Sequence, residues 1–184
     1  MATRGNEDNA ALLVIDVQNG VVANAWQRDD VVENIGKMVE HARHSSVPVI
    51  WIQHEDEDLA RDSEQWQLVA DLVPEDSETR IYKQYSDSFA NTDLSKILAD
   101  LDVGHLVISG AQTNACVRAT TYRAAAEGFD VTLVEDAHTT EDIDWDGVNL
   151  QAESMINDLN LTLKFIGWPG QDVTSVPTSA VLEM

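Results

Sequence analysis

Three side chains that could do chemistry stand beside short apolar runs: the thiol of Cys116, the carboxylate of Asp16 and the ammonium of Lys83. Cys116 is the only cysteine, and it follows the apolar run 106–108 in what reads as the first turn of a helix beginning near Thr113. Unpaired backbone N–H groups and the positive end of the helix dipole lie at such a turn, and both favour the thiolate. The position predicts a nucleophile, although a lone cysteine is also commonly a small buried hydrophobic residue.

Asp16 and Lys83 end two of the apolar runs and could complete such a site. A carboxylate desolvated at the end of a strand has a raised pKa, so Asp16 could take the proton of a thiol. The Lys83 ammonium would balance the charge of that carboxylate and of a thiolate. Backbone N–H groups near Gln112 and Cys116 point to where a tetrahedral oxyanion would form. The alternative is that Asp16 and Lys83 form a buried ion pair that only sets the register of the fold.

The elements that must hold these residues alternate between apolar runs and amphipathic segments. Six runs have the character of buried strands, at 11–16, 47–54, 80–83, 105–109, 130–135 and 161–166. Helical spacing and helix-stop signals predict helices at 29–46, 93–101, 113–127 and 145–159, with irregular segments at 1–10 and 168–184. Strands that alternate with helices predict a single α/β domain over 1–184, with a parallel sheet covered on both faces. Ligands of such sheets bind beyond the carboxyl ends of the strands.

Composition bounds the kind of protein. With 184 residues, of which 43% are hydrophobic, the chain can bury a substantial core. A single cysteine excludes an internal disulfide and suits a reducing compartment, and the polar segment 1–10 lacks the apolar core of a signal peptide. Because no apolar run approaches membrane-spanning length, we expect a cytoplasmic protein without a membrane partner.

The charge balance is strongly acidic, with 33 acidic against 11 basic residues and a formal net charge of −22 at pH 7. Nucleic acid is not expected as a partner, because phosphate binding needs a basic face. The acidic residues could form a solvated shell that maintains solubility, or they could serve a specific cationic ligand. An acidic shell with few lysines is also typical of salt-rich cytoplasms, which makes a halophilic source a hypothesis.

Nucleotide-binding loops are not predicted. Segment 16–20, after the first strand, has one glycine where a dinucleotide site would need Gly-x-Gly-x-x-Gly. The phosphate-binding pattern Gly-x-x-x-x-Gly-Lys-Ser/Thr does not occur either. We therefore expect no cofactor.

Three spaced blocks of the sequence resemble the isochorismatase-like cysteine hydrolases. The blocks are 13–18 (Leu-Val-Ile-Asp-Val-Gln), Lys83 with 88–94 (Ser-Phe-Ala-Asn-Thr-Asp-Leu), and Gly110-x-x-Thr113-x-x-Cys116-Val117 with Ala124-x-x-x-Gly128-Phe129-Asp130-Val131. They occur in the order found in that family and extend over about residues 12–136. Three blocks in the right order are much more specific than any one of them alone.

The resemblance implies a catalytic triad in which Cys116 is the nucleophile, Asp16 the base and Lys83 the third member. It also implies a non-proline cis peptide at Ala111–Gln112 and an oxyanion hole formed by the N–H groups of Gln112 and Cys116. The implied fold is a three-layer α-β-α arrangement around a six-stranded, mainly parallel sheet with the strand order 3-2-1-4-5-6.

The implied activity is hydrolysis of a C–N bond in a small amide or ureido/carbamoyl compound through a thioester. The isochorismatases of the family lack this cysteine and cleave a vinyl ether, so Cys116 favours acyl chemistry. Metal-using nicotinamidases carry Asp-x-His and a further histidine after the second strand. Segment 53–58 has only His54, so no metal is expected. The family and the apolar segment 176–182 also favour a homo-oligomer, either a dimer or a tetramer.

Candidate substrate-binding residues are polar or aromatic side chains that follow the strands. They are Gln18, Trp26, His54, Trp66, Tyr85 and Phe89. Aromatic residues in such loops also serve ordinary packing, and His54 could equally be a strand-end histidine bonded to backbone. We expect the loops 17–28 and 55–79 to set the choice of substrate.

Two other functions fit the same residues. A member of the fold with an idle site could act as a binding or interaction protein, and a lone reactive thiol could act as a redox sensor. The intact set of Asp16, Lys83 and Cys116 favours the hydrolase over the idle site. The chain has no second cysteine that could resolve an oxidised thiol.

Overall fold

Six strands form one parallel sheet through the middle of the molecule. The computed structural model describes residues 2–183, so the two terminal methionines of the predicted domain lie outside it. In chain order the strands are β1 (Asn6–Ile15), β2 (Val49–His54), β3 (Thr79–Lys83), β4 (Val103–Ala111), β5 (Asp130–Thr139), β6 (Ile143–Trp145), β7 (Val148–Leu150) and β8 (Val173–Val176). The sheet has the order β3-β2-β1-β4-β5-β8 with every neighbouring pair parallel, while β6 and β7 form a separate antiparallel hairpin. The predicted α/β architecture and strand order are confirmed, with β8 as the sixth strand.

Helices cover both faces of the sheet. They are α1 (Arg28–His44), α2 (Leu94–Asp100), α3 (Arg118–Glu127), α4 (Ala152–Leu163) and α5 (Thr178–Val181), and a π-helical turn (Thr113–Val117) leads into α3. Alternate side chains of β1 point to opposite layers: Leu12 and Val14 pack with α1 and α5, whereas Leu13 and Ile15 pack with α2, α3 and α4. No helix within residues 2–183 has the length and apolar character needed to cross a membrane.

The predicted sixth strand at 161–166 is wrong. Its first residues belong to the end of α4, where Met155, Leu159 and Leu163 are all buried. These residues recur every four positions, which places them on one face of a helix, and this longer apolar period outweighs the local alternation of 161–166. The sixth strand is β8 instead, from the segment predicted to be irregular.

The predicted helix 145–159 begins later, at Ala152, because a hairpin occupies the residues before it. Asp146 and Gly147 form its turn with φ of 49° and 81°. Asp-Gly is the residue pair that a two-residue hairpin turn prefers, since both positions need a positive φ. Asp142 then accepts a 2.7 Å hydrogen bond from the N–H of Ala152 and so fixes the start of α4.

Both predicted irregular ends contain regular structure. β1 already begins at Asn6, and β8 and α5 lie within segment 168–184. The apolar segment 176–182 packs on its own chain, where Val181 is buried against the face of the sheet that α1 covers. This segment therefore gives no support for a homo-oligomer, which stays a prediction from the resemblance.

Candidate active site

The three predicted catalytic residues converge at the carboxyl edge of the sheet. Asp16 directly follows β1, and its backbone N–H donates a 2.8 Å hydrogen bond to the Ile52 carbonyl of β2. Lys83 is the last residue of β3, and Cys116 lies in the π-helical turn after β4. Parallel strands all end at the same edge of the sheet, so residues that are distant in sequence meet there.

Lys83 connects the other two side chains. Its Nζ donates a 2.6 Å hydrogen bond to Oδ2 of Asp16 and a 3.2 Å hydrogen bond to Sγ of Cys116. A third contact of 3.5 Å runs from Nζ to Nδ1 of His54. Because an ammonium group has three N–H donors, these three partners account for all of them. The position of Lys83 is thus determined from three directions.

Asp16 has the properties of a general base. Burial raises the pKa of its carboxyl group, while the charge and the hydrogen bond of Lys83 act in the opposite direction. The second oxygen, Oδ1, is buried and accepts no hydrogen bond within residues 2–183. Buried carboxylate oxygens normally have donors, and besides Lys83 the side-chain group that interacts with Asp16 is the thiol of Cys116.

The surroundings of Cys116 disfavour the thiolate. Burial raises its pKa to about 11, the negative charge of Asp16 adds to this rise, and the charge of Lys83 opposes it. This direction is opposite to the one expected from the helix start, and its largest cause is desolvation of the sulfur. Asp16 is the carboxylate that interacts with this thiol.

The peptide bond between Ala111 and Gln112 is cis, at the position that the family resemblance implies. The carbonyl of Gln112 accepts hydrogen bonds from the N–H groups of Ala115 at 3.1 Å and Val117 at 3.2 Å, which anchors the π-helical turn. Gln112 and Cys116 line the same cavity. The use of their N–H groups as oxyanion donors stays a prediction.

A cavity of about 450 Å³ is lined by two of the three candidate catalytic residues, Asp16 and Cys116. Its lining comprises Asp16, Gly20, Val21, His54, Asp56, Asp58, Leu59, Gln65, Gln112, Ala115 and Cys116. This volume lies within the range of sites that hold small molecules. Lys83 does not line the cavity: its side chain has 0% exposure, and it reaches the site through its contacts with Asp16 and Cys116.

Two predicted binding residues, His54 and Gln18, have different roles. His54 lines the cavity, and its Nε2 lies 3.2 Å from Oδ2 of Asp56. Gln18 is fully buried outside the lining: its Oε1 accepts from the N–H of His54 at 2.8 Å. Its Nε2 donates to the carbonyl groups of His54 at 2.9 Å and Trp66 at 2.8 Å. Gln18 therefore joins the end of β2 to the loop that forms the cavity wall.

The four predicted aromatic contacts do not line this cavity. Trp66 is buried and packs against Tyr82 at a ring distance of 5.4 Å, and Phe89 belongs to the core. Trp26 and Tyr85 are 41% and 56% exposed, at positions outside the lining. Trp66 and Phe89 therefore serve packing, and Trp26 and Tyr85 are exposed outside the cavity.

Sequence reasoning missed most of the cavity wall. Asp56, Asp58, Leu59 and Gln65 come from the loop between β2 and β3, and Val21 comes from the loop after β1. Both loops were expected to set the substrate, but no periodicity or motif singles out which of their residues face inward. The one local signal is the Asp56 turn, in which a carboxylate accepts from N–H groups two and three residues later.

Metal ligands are not grouped in the described part of the chain: no three side chains of His, Cys, Asp or Glu within residues 2–183 could hold an ion together. His54 and Asp56 are neighbours, but a third ligand is lacking there among these residues. Hydrolysis without a metal stays a prediction.

Comparison with known proteins shows that this chain has relatives. The family model described as the isochorismatase domain matches residues 10–153. Streptothricin hydrolase of Streptomyces noursei is 34% identical over 72% of this chain and 55% of its own length. Ureidoacrylate amidohydrolase RutB of Enterobacter sp. strain 638 is 26% identical over 71% of this chain and 75% of its own. A cysteine hydrolase structure from Pseudomonas syringae shares the fold with a TM-score of 0.86, at 22% identity, covering 97% of this chain and 92% of that one.

Proposed function

Because the chain belongs to the isochorismatase domain family, we propose that its site is that of a cysteine-dependent hydrolase acting on a small amide or ureido compound. The single observation that carries the proposal is the contact of Lys83 with both Asp16 and Cys116, at 2.6 Å and 3.2 Å, beside the cavity. A thiol nucleophile, a carboxylate base and a buried cation are the groups that acyl transfer through sulfur requires.

In the first half of the reaction, Asp16 takes the thiol proton of Cys116, and the sulfur attacks the carbonyl carbon of the substrate. The N–H groups of Gln112 and Cys116 stabilise the negative charge that develops on the carbonyl oxygen. The C–N bond breaks as Asp16 passes the proton to the leaving nitrogen, which departs as ammonia or an amine. A thioester on Cys116 is left.

In the second half, Asp16 takes a proton from water, and the oxygen of that water attacks the thioester carbon. The C–S bond breaks, the acid product leaves, and Asp16 returns the proton to the sulfur. Lys83 stays charged throughout and stabilises the carboxylate and the thiolate in turn. This offsets the cost of placing a negative charge in a buried site.

A second candidate function, an idle site in a binding protein, is favoured by the raised pKa of Cys116, because a protonated thiol is a poor nucleophile. In the hydrolase, the oxygen of Asp16 that has no hydrogen-bond partner within residues 2–183 would accept the thiol proton and so activate Cys116. The names of the streptothricin hydrolase and the ureidoacrylate amidohydrolase support hydrolysis within the family. Redox sensing fits less well, since oxidation begins from the thiolate.

Ammonia release from a panel of small amides, carbamoyl and ureido compounds tests the proposal. We expect turnover of at least one class, loss of turnover in Cys116→Ala, and an unchanged far-UV circular dichroism spectrum of that variant. In Asp16→Asn, the thioester should not form, so mass spectrometry after substrate addition should find no acyl adduct on the intact chain.

The matched control is Ser109→Ala, which alters a small buried side chain of β4 away from the cavity and should keep activity. Full activity of Cys116→Ala on any substrate of the panel would contradict the proposal. If no compound is turned over and Cys116 resists iodoacetamide, the idle site becomes the better description.

A further inference from the structure

We infer that the cavity selects substrates carrying a positive charge, such as an amide or ureide with a protonated amine, and that Asp58 and Asp56 provide this selection. The inference deepens the proposed function and rests on it. The lining of the cavity contains three carboxylates, one imidazole and no lysine or arginine among the described residues. One of the three carboxylates, Asp16, is already neutralised by Lys83, which leaves Asp56 and Asp58 to set the charge of the wall.

Two basic residues near this wall are outside the lining and have other partners: Arg61, which lines an adjoining cavity with Asp56, and Lys83. Arg61 donates from Nε to Glu55 at 2.6 Å, and its guanidinium lies 4.2 Å from the centre of the Tyr82 ring. Lys83 has a side chain with 0% exposure. A substrate with a carboxylate near its scissile bond would therefore meet two like charges and no cation, whereas an ammonium group would meet complementary charge.

The position of Asp56 is determined by its own loop. Its Oδ1 accepts hydrogen bonds from the N–H groups of Asp58 at 2.9 Å and Leu59 at 2.7 Å. The hydrogen bond from the N–H of Leu59 is the main cause that lowers the pKa of Asp56, which favours the ionised carboxylate. The turn places Asp58 two residues later, on the same cavity wall.

A second observation in the same cavity is a buried acceptor, on Asp16, that a ligand with hydrogen-bond donors could also reach. Asp16 lines the cavity and is 1% exposed, and its Oδ1 has no donor in hydrogen-bond geometry within residues 2–183, although the thiol of Cys116 interacts with the same carboxylate. A buried acceptor of this kind is costly unless a donor arrives. The acidic wall and the unpartnered acceptor occur in one cavity, which separates it from the acidic surface elsewhere on the chain.

Thiol-alkylating reagents of different charge test the inference without a known substrate, because Cys116 is the only cysteine. The probes are iodoacetate, iodoacetamide and 2-bromoethylammonium, with each rate divided by the rate for N-acetylcysteine. We expect the normalised rate of iodoacetate to fall about threefold to tenfold below that of iodoacetamide, and that of 2-bromoethylammonium to exceed it. Equal normalised rates, or a preference for iodoacetate, would overturn the inference.

Variants of the cavity wall show which carboxylate causes the difference between the alkylation rates. In Asp58→Asn the normalised rates should approach one another, whereas Glu57→Gln, which removes the same charge at a neighbouring position outside the lining, should keep the wild-type ratios. Equal changes in the two variants would assign the selectivity to the general surface charge and overturn the inference. All rates are compared at one salt concentration, because screening weakens the contrast as salt rises.

Turnover provides the second readout, with 6-aminohexanamide, hexanamide and the monoamide of adipic acid as cationic, neutral and anionic substrates of similar length. We expect kcat/KM to follow that order in the wild type and the order to weaken in Asp58→Asn. Preferred hydrolysis of the anionic amide would overturn the inference and leave the hydrolase proposal standing. Failure of Cys116 to react with all three alkylating reagents would contradict the proposed function, and the inference with it.

Discussion

Lys83 and Asp16 form a buried ion pair of 2.6 Å that bridges the ends of β3 and β1 across the intervening strand β2. Their side chains are 0% and 1% exposed. A buried pair of this kind adds little to stability compared with apolar residues, but removing one partner leaves the other charge buried and uncompensated. The pair is therefore both part of the proposed chemistry and a constraint on the carboxyl edge of the sheet.

Lys83→Met should lower the free energy of unfolding by about 3–5 kcal/mol, because it leaves the Asp16 carboxylate buried without a cation. The double variant Asp16→Asn/Lys83→Met should recover most of this loss while remaining without hydrolytic activity. Urea unfolding measures the first effect and ammonia release the second. As a control, Lys164→Met breaks the half-exposed pair with Glu135 and should cost less than about 1 kcal/mol. Similar losses in the two single variants would contradict the burial argument.

The thiol of Cys116 should make the protein less stable at alkaline pH. An unfolded thiol loses its proton near pH 9.0, whereas the folded one does so at about 11. Between these values the unfolded state binds fewer protons, so stability falls as pH rises, by about 2 kcal/mol between pH 8 and pH 11. Cys116→Ala should lack this part of the loss, measured as the difference between the two urea unfolding profiles. Identical profiles for wild type and variant would show that the thiol titrates alike in both states.

His138 should make the protein sensitive to acid. Burial lowers its pKa from 6.5 to about 4, while its ring bonds Thr113 at 2.9 Å and Asn160 at 2.8 Å. Between these pH values the unfolded state binds more protons, so stability falls as pH drops, by about 2 kcal/mol from pH 7.5 to pH 5. His138→Gln should lower stability at pH 7.5 but flatten this dependence. A slope as steep as that of wild type would assign the acid sensitivity to carboxyl groups instead.

The excess of acidic residues should make thermal stability depend on salt. With a formal net charge of −22, repulsion among carboxylates opposes the compact state, and salt screens it over about 10 Å at 0.1 M and about 3 Å at 1 M. We expect the melting temperature to rise steeply from low to molar KCl. A melting temperature that does not change with KCl would contradict the hypothesis of a salt-rich habitat and of a repulsive acidic shell.

Most of the sheet could be predicted from the sequence because buried parallel strands are short, continuous apolar runs with clear ends. The run that includes Leu13 and Ile15 is of this kind, and it is followed by Asp16 at the sheet edge. The segment 161–166 misled the prediction because its local alternation resembles a strand. Residues 161–163 belong to α4 because Leu159 and Leu163 pack into the core on one face of that helix. A window of six residues does not contain these contacts.

For the candidate site, the sequence by itself determined which residues meet, since Asp16, Lys83 and Cys116 each follow from a strand end and from a spaced motif. The tertiary structure alone decided their state and their surroundings. Desolvation raises the pKa of Cys116, which no residue type reveals, because burial depends on how distant segments pack around the sulfur. The same holds for Gln18, which joins the end of β2 to the following loop, and for the β2–β3 loop, which supplies the acidic residues of the cavity wall. The directions of loop side chains depend on hydrogen bonds between distant segments and not on sequence periodicity.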